Sequence, residues 1–135
     1  MADADVAVTA RTGTVRLHGK RDQVRTVPTP AQARAALLDY LAERGRADGP
    51  LWGGQRGPLT ISGIIQVVLA VGEDAEATDL RPHRLRHTYG TRLRRDGAAP
   101  AQVQYLLGRA DLKTTGRYFQ AGQREAAELV ERTFP

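Results

Sequence analysis

The stretch RPHRLRHTYGTRLRR, residues 81–95, decides how the rest of the chain is read. Pro82 suits the first turn of a helix, where its missing N–H costs nothing. Leu85, Tyr89 and Leu93 follow at i, i+4 and i+8, so Leu85 and Tyr89 are expected to point into a core with Leu93. Gly97 supplies a stop. His83 and Arg86 fall at i and i+3 on a different face, where their side chains can reach one spot. An imidazole and a guanidinium aimed together suit a phosphodiester. The ring manages a proton while the guanidinium holds the non-bridging oxygens. The same spacing also fits a solvated basic helix face with a capping histidine.

Working outward, Thr60 caps an upstream segment in which Ile61, Ile64, Ile65, Val68 and Leu69 repeat at helical spacing. Its β-branched content makes a buried strand the competing assignment; length and the apolar stripe favour a helix. GRADGPLWGGQRGP, residues 45–58, reads as a long loop. Before it, Thr29 and Pro30 read as the N-cap and first residue of a helix carrying Ala33, Leu37 and Leu41, closed by Gly45. The chain begins with the alternating runs VAVTA, GTVRLHG and VRTVPT. Val15 and Leu17 share one strand face, and Arg16 and His18 the other. Residues 13–29 read as a β-hairpin with Lys20 and Arg21 at its tip. Downstream, APAQVQYLLG gives a short helix ending at Gly108, and a last helix places Ala126, Leu129 and Val130 on one face. The expected fold class is α+β, mainly α: a small N-terminal antiparallel sheet followed by a helical bundle, in one domain over residues 1–135.

The 135 residues are 41% hydrophobic and 26% charged, ordinary for a globular protein, with a net charge of +5. Arginine supplies 18 of the 20 basic residues, the two lysines being Lys20 and Lys113. Arginine suits bidentate recognition of phosphate, which favours a nucleic-acid partner; a GC-rich coding sequence explains the same bias. The absence of cysteine excludes disulfides and thiolate metal sites. His18, His83 and His87 are not at zinc spacing. No apolar run reaches the about 18 residues that span a membrane, and MADADVAV does not open like a signal peptide. A cytoplasmic protein without metal or cofactor is the expectation.

Two further residues carry possible chemistry. Tyr118 stands in KTTGRYF, a polar and basic setting rather than an apolar repeat. A phenol, with a pKa near 10, becomes a nucleophile where cations stabilise the phenolate, and Arg86, Arg109 and Arg117 could supply that field. A half-buried tyrosine with its hydroxyl at the surface is the plainer alternative. Lys20, at a hairpin tip, can protonate a leaving alkoxide or stand as a solvated turn lysine.

In combination these segments resemble the tyrosine recombinase (phage integrase) family, specifically its C-terminal catalytic domain. HRLRHTYGTRL is similar to its His-x-Leu-Arg-His-Thr motif. VQYLLGRADLKTTGRYF is similar to its Leu-Leu-Gly-His and Thr-Thr-x-x-Tyr motifs at unbroken spacing, and VRLHGKRDQVRTVPTP to its lysine hairpin. The resemblance implies site-specific recombination or integration of double-stranded DNA by strand cleavage and rejoining. Tyr118 would form a 3′-phosphotyrosine, Arg86 would stabilise the transition state, Lys20 would protonate the 5′ oxygen and His83 would assist proton transfer. Arg21, Arg81, Arg84, Thr114, Thr115 and Arg117 would meet the DNA, and His87 would be a structural partner beside the active helix. The C-terminal segment would support self-association on DNA. No cofactor is implied.

Two departures qualify the resemblance. Arg109 stands where the family usually has His or Trp, so it is carried over as a phosphate donor. The family's first catalytic arginine, in a Gly-Leu-Arg-x-x-Glu-Leu segment, has no counterpart, since Arg11 and Arg16 do not match it. An N-terminally truncated catalytic domain and a non-catalytic DNA-binding or interaction remnant both fit that gap.

Overall fold

A computed structural model describes residues 5–45, 48–108 and 122–135. Three strands open the fold: β1 (Val6–Val8), β2 (Gly13–His18) and β3 (Val24–Pro28). They form one antiparallel sheet in the order β1-β2-β3, with Val15 opposite both Val6 and Val27. The hairpin expected over residues 13–29 is β2–β3. At its tip Lys20–Asp22 make a tight helical turn in which Arg21 and Asp22 hold φ of 60° and 57°. Such left-handed backbone is strained for any residue with a Cβ, and more so for arginine than for aspartate.

Helix α1 (Ala31–Arg44) follows, ending at Gly45 with φ 79°. It starts one residue later than expected. The Thr29 N–H donates to the Gly13 carbonyl at 2.9 Å, so Thr29 still belongs to the sheet edge and Pro30 becomes the N-cap. Val6, Val8 and Leu41 pack with Leu51 into one core, with Tyr40 and Trp52 on its rim. Leu51 lies within the expected loop yet is wholly buried, and the loop holds a short ribbon of β4 (Gly53–Gly54) and β5 (Gly57–Pro58). The Tyr40 hydroxyl donates to the Leu51 carbonyl at 2.9 Å and fixes that turn.

Helix α2 (Ile61–Asp74) confirms the helical choice over the strand. Thr60 caps it, its Oγ1 accepting from Gly63 N at 3.1 Å. The first half of its apolar stripe, however, is open: Ile61 is 80% exposed and Ile64 and Ile65 are also exposed, while Val68 and Leu69 are half-buried. Helices α3 (Pro82–Arg95), α4 (Pro100–Leu107) and α5 (Gln123–Thr133) build the second core. Leu93, Val103, Tyr105 and Leu106 meet Ala126, Leu129 and Val130 there. Leu93 is fully buried and Tyr89 stacks on Phe134 at 5.0 Å, but Leu85 is 47% exposed. Leu85 therefore does not join the core. It sits a turn nearer the helix start, above a groove that the second core does not fill.

The apolar face of α5 docks on α3 and β3 of its own chain and shares a core with α4. Two arginines pin it. Arg92 donates to the Thr133 carbonyl at 2.9 Å and lies 4.7 Å over the Phe134 ring. Buried Arg34 of α1 donates to the Thr29 carbonyl at 2.8 Å and pairs with Glu131. The result is a small sheet followed by helices, mainly helical as expected. No helix among the described residues is long and apolar enough to cross a membrane.

Candidate functional site

Helix α3 carries an unusual first turn. It opens with Arg81 and Pro82, includes His83 and Arg84, and has no acidic residue there. A basic first turn opposes the helix dipole by about 0.3–1 kcal/mol per charge. Pro82 has no N–H there, and the Arg84 N–H donates to the Arg81 carbonyl at 3.0 Å, so the turn offers an anion its side-chain charges rather than a row of backbone donors.

Arg86 is half-buried one turn further along. It donates from Nη2 to the carbonyl of Leu107, the last residue of α4. Gly108 then closes α4 with φ 73°, the left-handed turn that glycine adopts freely. The guanidinium of Arg25 on β3 lies against this turn, so closely that a Cβ at residue 108 would come within 2.5 Å of it. Two guanidiniums thus converge on the end of α4. The Nε of Arg25 is buried without a hydrogen-bond partner among the described residues. Burial and the nearby Arg86 charge both lower the Arg25 pKa, with Tyr105 and Tyr89 opposing them. Burial pushes the Tyr89 phenol up to about 12, against the pull of Arg25.

Beside these groups runs a groove of about 580 Å³, lined by Leu17, Val27, Leu85, Arg86, Tyr89 and Leu107 among others. A larger cavity of about 720 Å³ lies between the hairpin and α5, around Arg34 and Glu131, and among the described residues no sequence-predicted site residue lines it.

Comparison with known proteins places this geometry. Residues 2–125 match the phage integrase family. The chain belongs to that family. The tyrosine recombinase XerC of Pseudomonas fluorescens is 34% identical over 127 residues, a match covering 91% of this chain and 43% of that protein. XerC of Bacillus pumilus is 37% identical over 116 residues, covering 78% and 38%. Among solved structures, the XerH site-specific recombinase bound to difH substrate in a pre-cleavage complex aligns with a TM-score of 0.66. It is 27% identical, and the alignment covers 92% of this chain and 39% of that one. A post-cleavage complex of XerH with palindromic difH gives 0.64 at 25% identity, covering 93% and 37%. The chain spans about two fifths of the length of these relatives.

The integrase motifs can now be located. Lys20 and Arg21 are exposed at the β2–β3 tip, and His83 and His87 are exposed on α3. Arg81 donates to the Leu80 carbonyl at 2.9 Å, and exposed Arg84 pairs with exposed Asp79. No hydrogen bond joins Lys20 or His83 to Arg86 among the described residues. Arg109, Thr114, Thr115, Arg117 and Tyr118 lie outside the described residues. Arg16 and His18 are held by the buried carboxylate of Asp5, at 3.3 and 2.8 Å, on the sheet face away from Arg86.

Arg25 escapes a motif search, but strand alternation marks it. It pairs with Leu17 across the hairpin and stands two residues before Val27, so it occupies the apolar face of the sheet. A charge on that face is the signal.

Proposed function

We propose that the chain is a catalytic unit, residues 1–135, that cleaves and rejoins double-stranded DNA in site-specific recombination. The Tyr118 oxygen attacks phosphorus and forms the 3′-phosphotyrosine bond as the P–O5′ bond breaks. Lys20 gives the departing 5′ oxygen its proton, and Arg86 holds the charge of the transition state. His83 assists proton transfer by taking the phenol proton that Tyr118 gives up as it attacks. Arg109 donates to phosphate, while Arg21, Arg81, Arg84, Thr114, Thr115 and Arg117 contact the DNA. The phosphotyrosine conserves the bond energy, so rejoining needs no nucleotide.

The observation that carries this reading is Arg86. Its side chain is anchored on Leu107, directly ahead of the residues that lead to Tyr118 in sequence. The guanidinium is thereby tied to the start of the segment bearing the nucleophile. Self-association through α5 would require exchange between copies, because its apolar face already packs on its own chain.

A second reading, a DNA-binding remnant without cleavage, draws support from the lack of any hydrogen bond joining Lys20 or His83 to Arg86 among the described residues. A bridging 5′-phosphorothiolate duplex separates the two. Its sulfur leaves without a proton, so Lys20→Ala should cleave it at close to the wild-type rate while cleaving the ordinary duplex at least tenfold more slowly. A remnant would cleave neither.

A further inference from the structure

We propose that Arg25 and Arg86 together form a phosphoryl-binding pair, with Arg25 supplying a second guanidinium that no integrase motif assigns. Arg25 stands on the apolar face of β3, opposite Leu17, where a half-buried arginine gives up part of its hydration. Its guanidinium lies against Gly108, and Arg86 reaches the neighbouring Leu107 carbonyl. Neither arginine has a carboxylate partner among the described residues, and the Arg25 Nε has no acceptor at all among them. Two like charges brought together with donors left over make a poor stabilising device. An oxyanion between them would relieve both the repulsion and the open donors, and a planar guanidinium pair matches phosphate in particular.

The glycine supports a specific approach rather than chance proximity. Any larger residue at 108 would push the Arg25 guanidinium away from the end of α4. The pair is also built across chain segments, from β3, α3 and the α4 terminus, so the fold itself sets its spacing. The identity of the ligand as a DNA phosphodiester rests on the strand-cleavage reading; the existence of the anion pair does not.

The test uses the full chain and inorganic phosphate, titrated at constant ionic strength against chloride, with thermal unfolding as the readout. Phosphate at about ten times its Kd should raise the wild-type midpoint by several degrees. Arg25→Gln and Arg86→Gln should each lose that increment, and Arg25→Lys should keep part of it. Without phosphate, Arg25→Gln should unfold at the same or a higher temperature, since it removes a repulsion. A full increment in Arg25→Gln overturns the proposal. So does a lower midpoint without phosphate, or failure of that variant to fold, because either makes Arg25 a strut for the Gly108 turn. A second arm measures binding to a random-sequence duplex across a salt series. Arg25→Gln should reduce the slope of log K against log salt by about 0.9, one phosphate contact. An unchanged slope alongside a lost phosphate increment overturns the assignment to DNA. Failure of the strand-cleavage reading registers elsewhere, as a wild-type chain that forms no covalent DNA adduct.

Discussion

At Gly108 a single hydrogen atom in place of a side chain settles two matters at once. It permits φ 73°, and it leaves room for the Arg25 guanidinium. Gly108→Ala should therefore destabilise the chain by about 1–2 kcal/mol from backbone strain, the Arg25 guanidinium being free to swing aside. Urea unfolding of Gly108→Ala in wild-type and Arg25→Ala backgrounds checks this, the penalty being about equal in the two. Tyr89 gives a pH signature. Its folded pKa is raised by burial to about 12, above the value near 10 of an unfolded phenol. The unfolded chain loses that proton first, so the stabilisation is complete below pH 10. It is lost as pH rises from 10 to about 12, by roughly 2–3 kcal/mol. Tyr89→Phe should flatten this window in a series of melts; an equally steep fall in the variant would place the alkaline transition on another group.

At the scale of elements, α2 separates local from tertiary stabilisation. Its cap is built, since Thr60 accepts from Gly63, yet Ile61 is 80% exposed. Thr60→Ala should cost about 1 kcal/mol, whereas Ile61→Lys should stay within about 0.5 kcal/mol of wild type by denaturant unfolding. The helix is legible in sequence because its cap and period are local. The openness of its stripe is not, because a stripe states what could be buried and not what covers it. The hairpin is legible for the same local reason, Val15 and Leu17 alternating with Arg16 and His18. Leu51 is not legible: it stands among glycines and prolines with no period, and its burial depends on β1 and α1. Leu85 fits the helical repeat of Tyr89 and Leu93, but the core ends before reaching it. Of the candidate site, motif spacing singles out Arg86 but not its bond to the Leu107 carbonyl, which joins residues far apart in sequence. It passes over Arg25, which strand alternation alone would flag.

For the whole molecule, two cores divide the labour. One joins the sheet to α1 and Leu51; the other joins α3, α4 and α5. Arg34 and Arg92 tie the C-terminal helix back to both halves, so they are structural arginines. Other arginines of α3 remain at the surface, where a net charge of +5 favours a polyanion. Arg86→Gln should slow cleavage, since one strong donor at a reacting phosphoryl group is worth about 10²–10³ in rate. The most direct measurement incubates the chain with nicked duplexes of random sequence, from which the released 5′ fragment diffuses away. Denaturing electrophoresis then detects covalent protein–DNA adduct, and peptide mass spectrometry locates the attachment. Adduct should form, map to Tyr118 and disappear in Tyr118→Phe. An adduct that persists in Tyr118→Phe, or none from a wild-type chain that binds the duplex, would contradict cleavage through Tyr118.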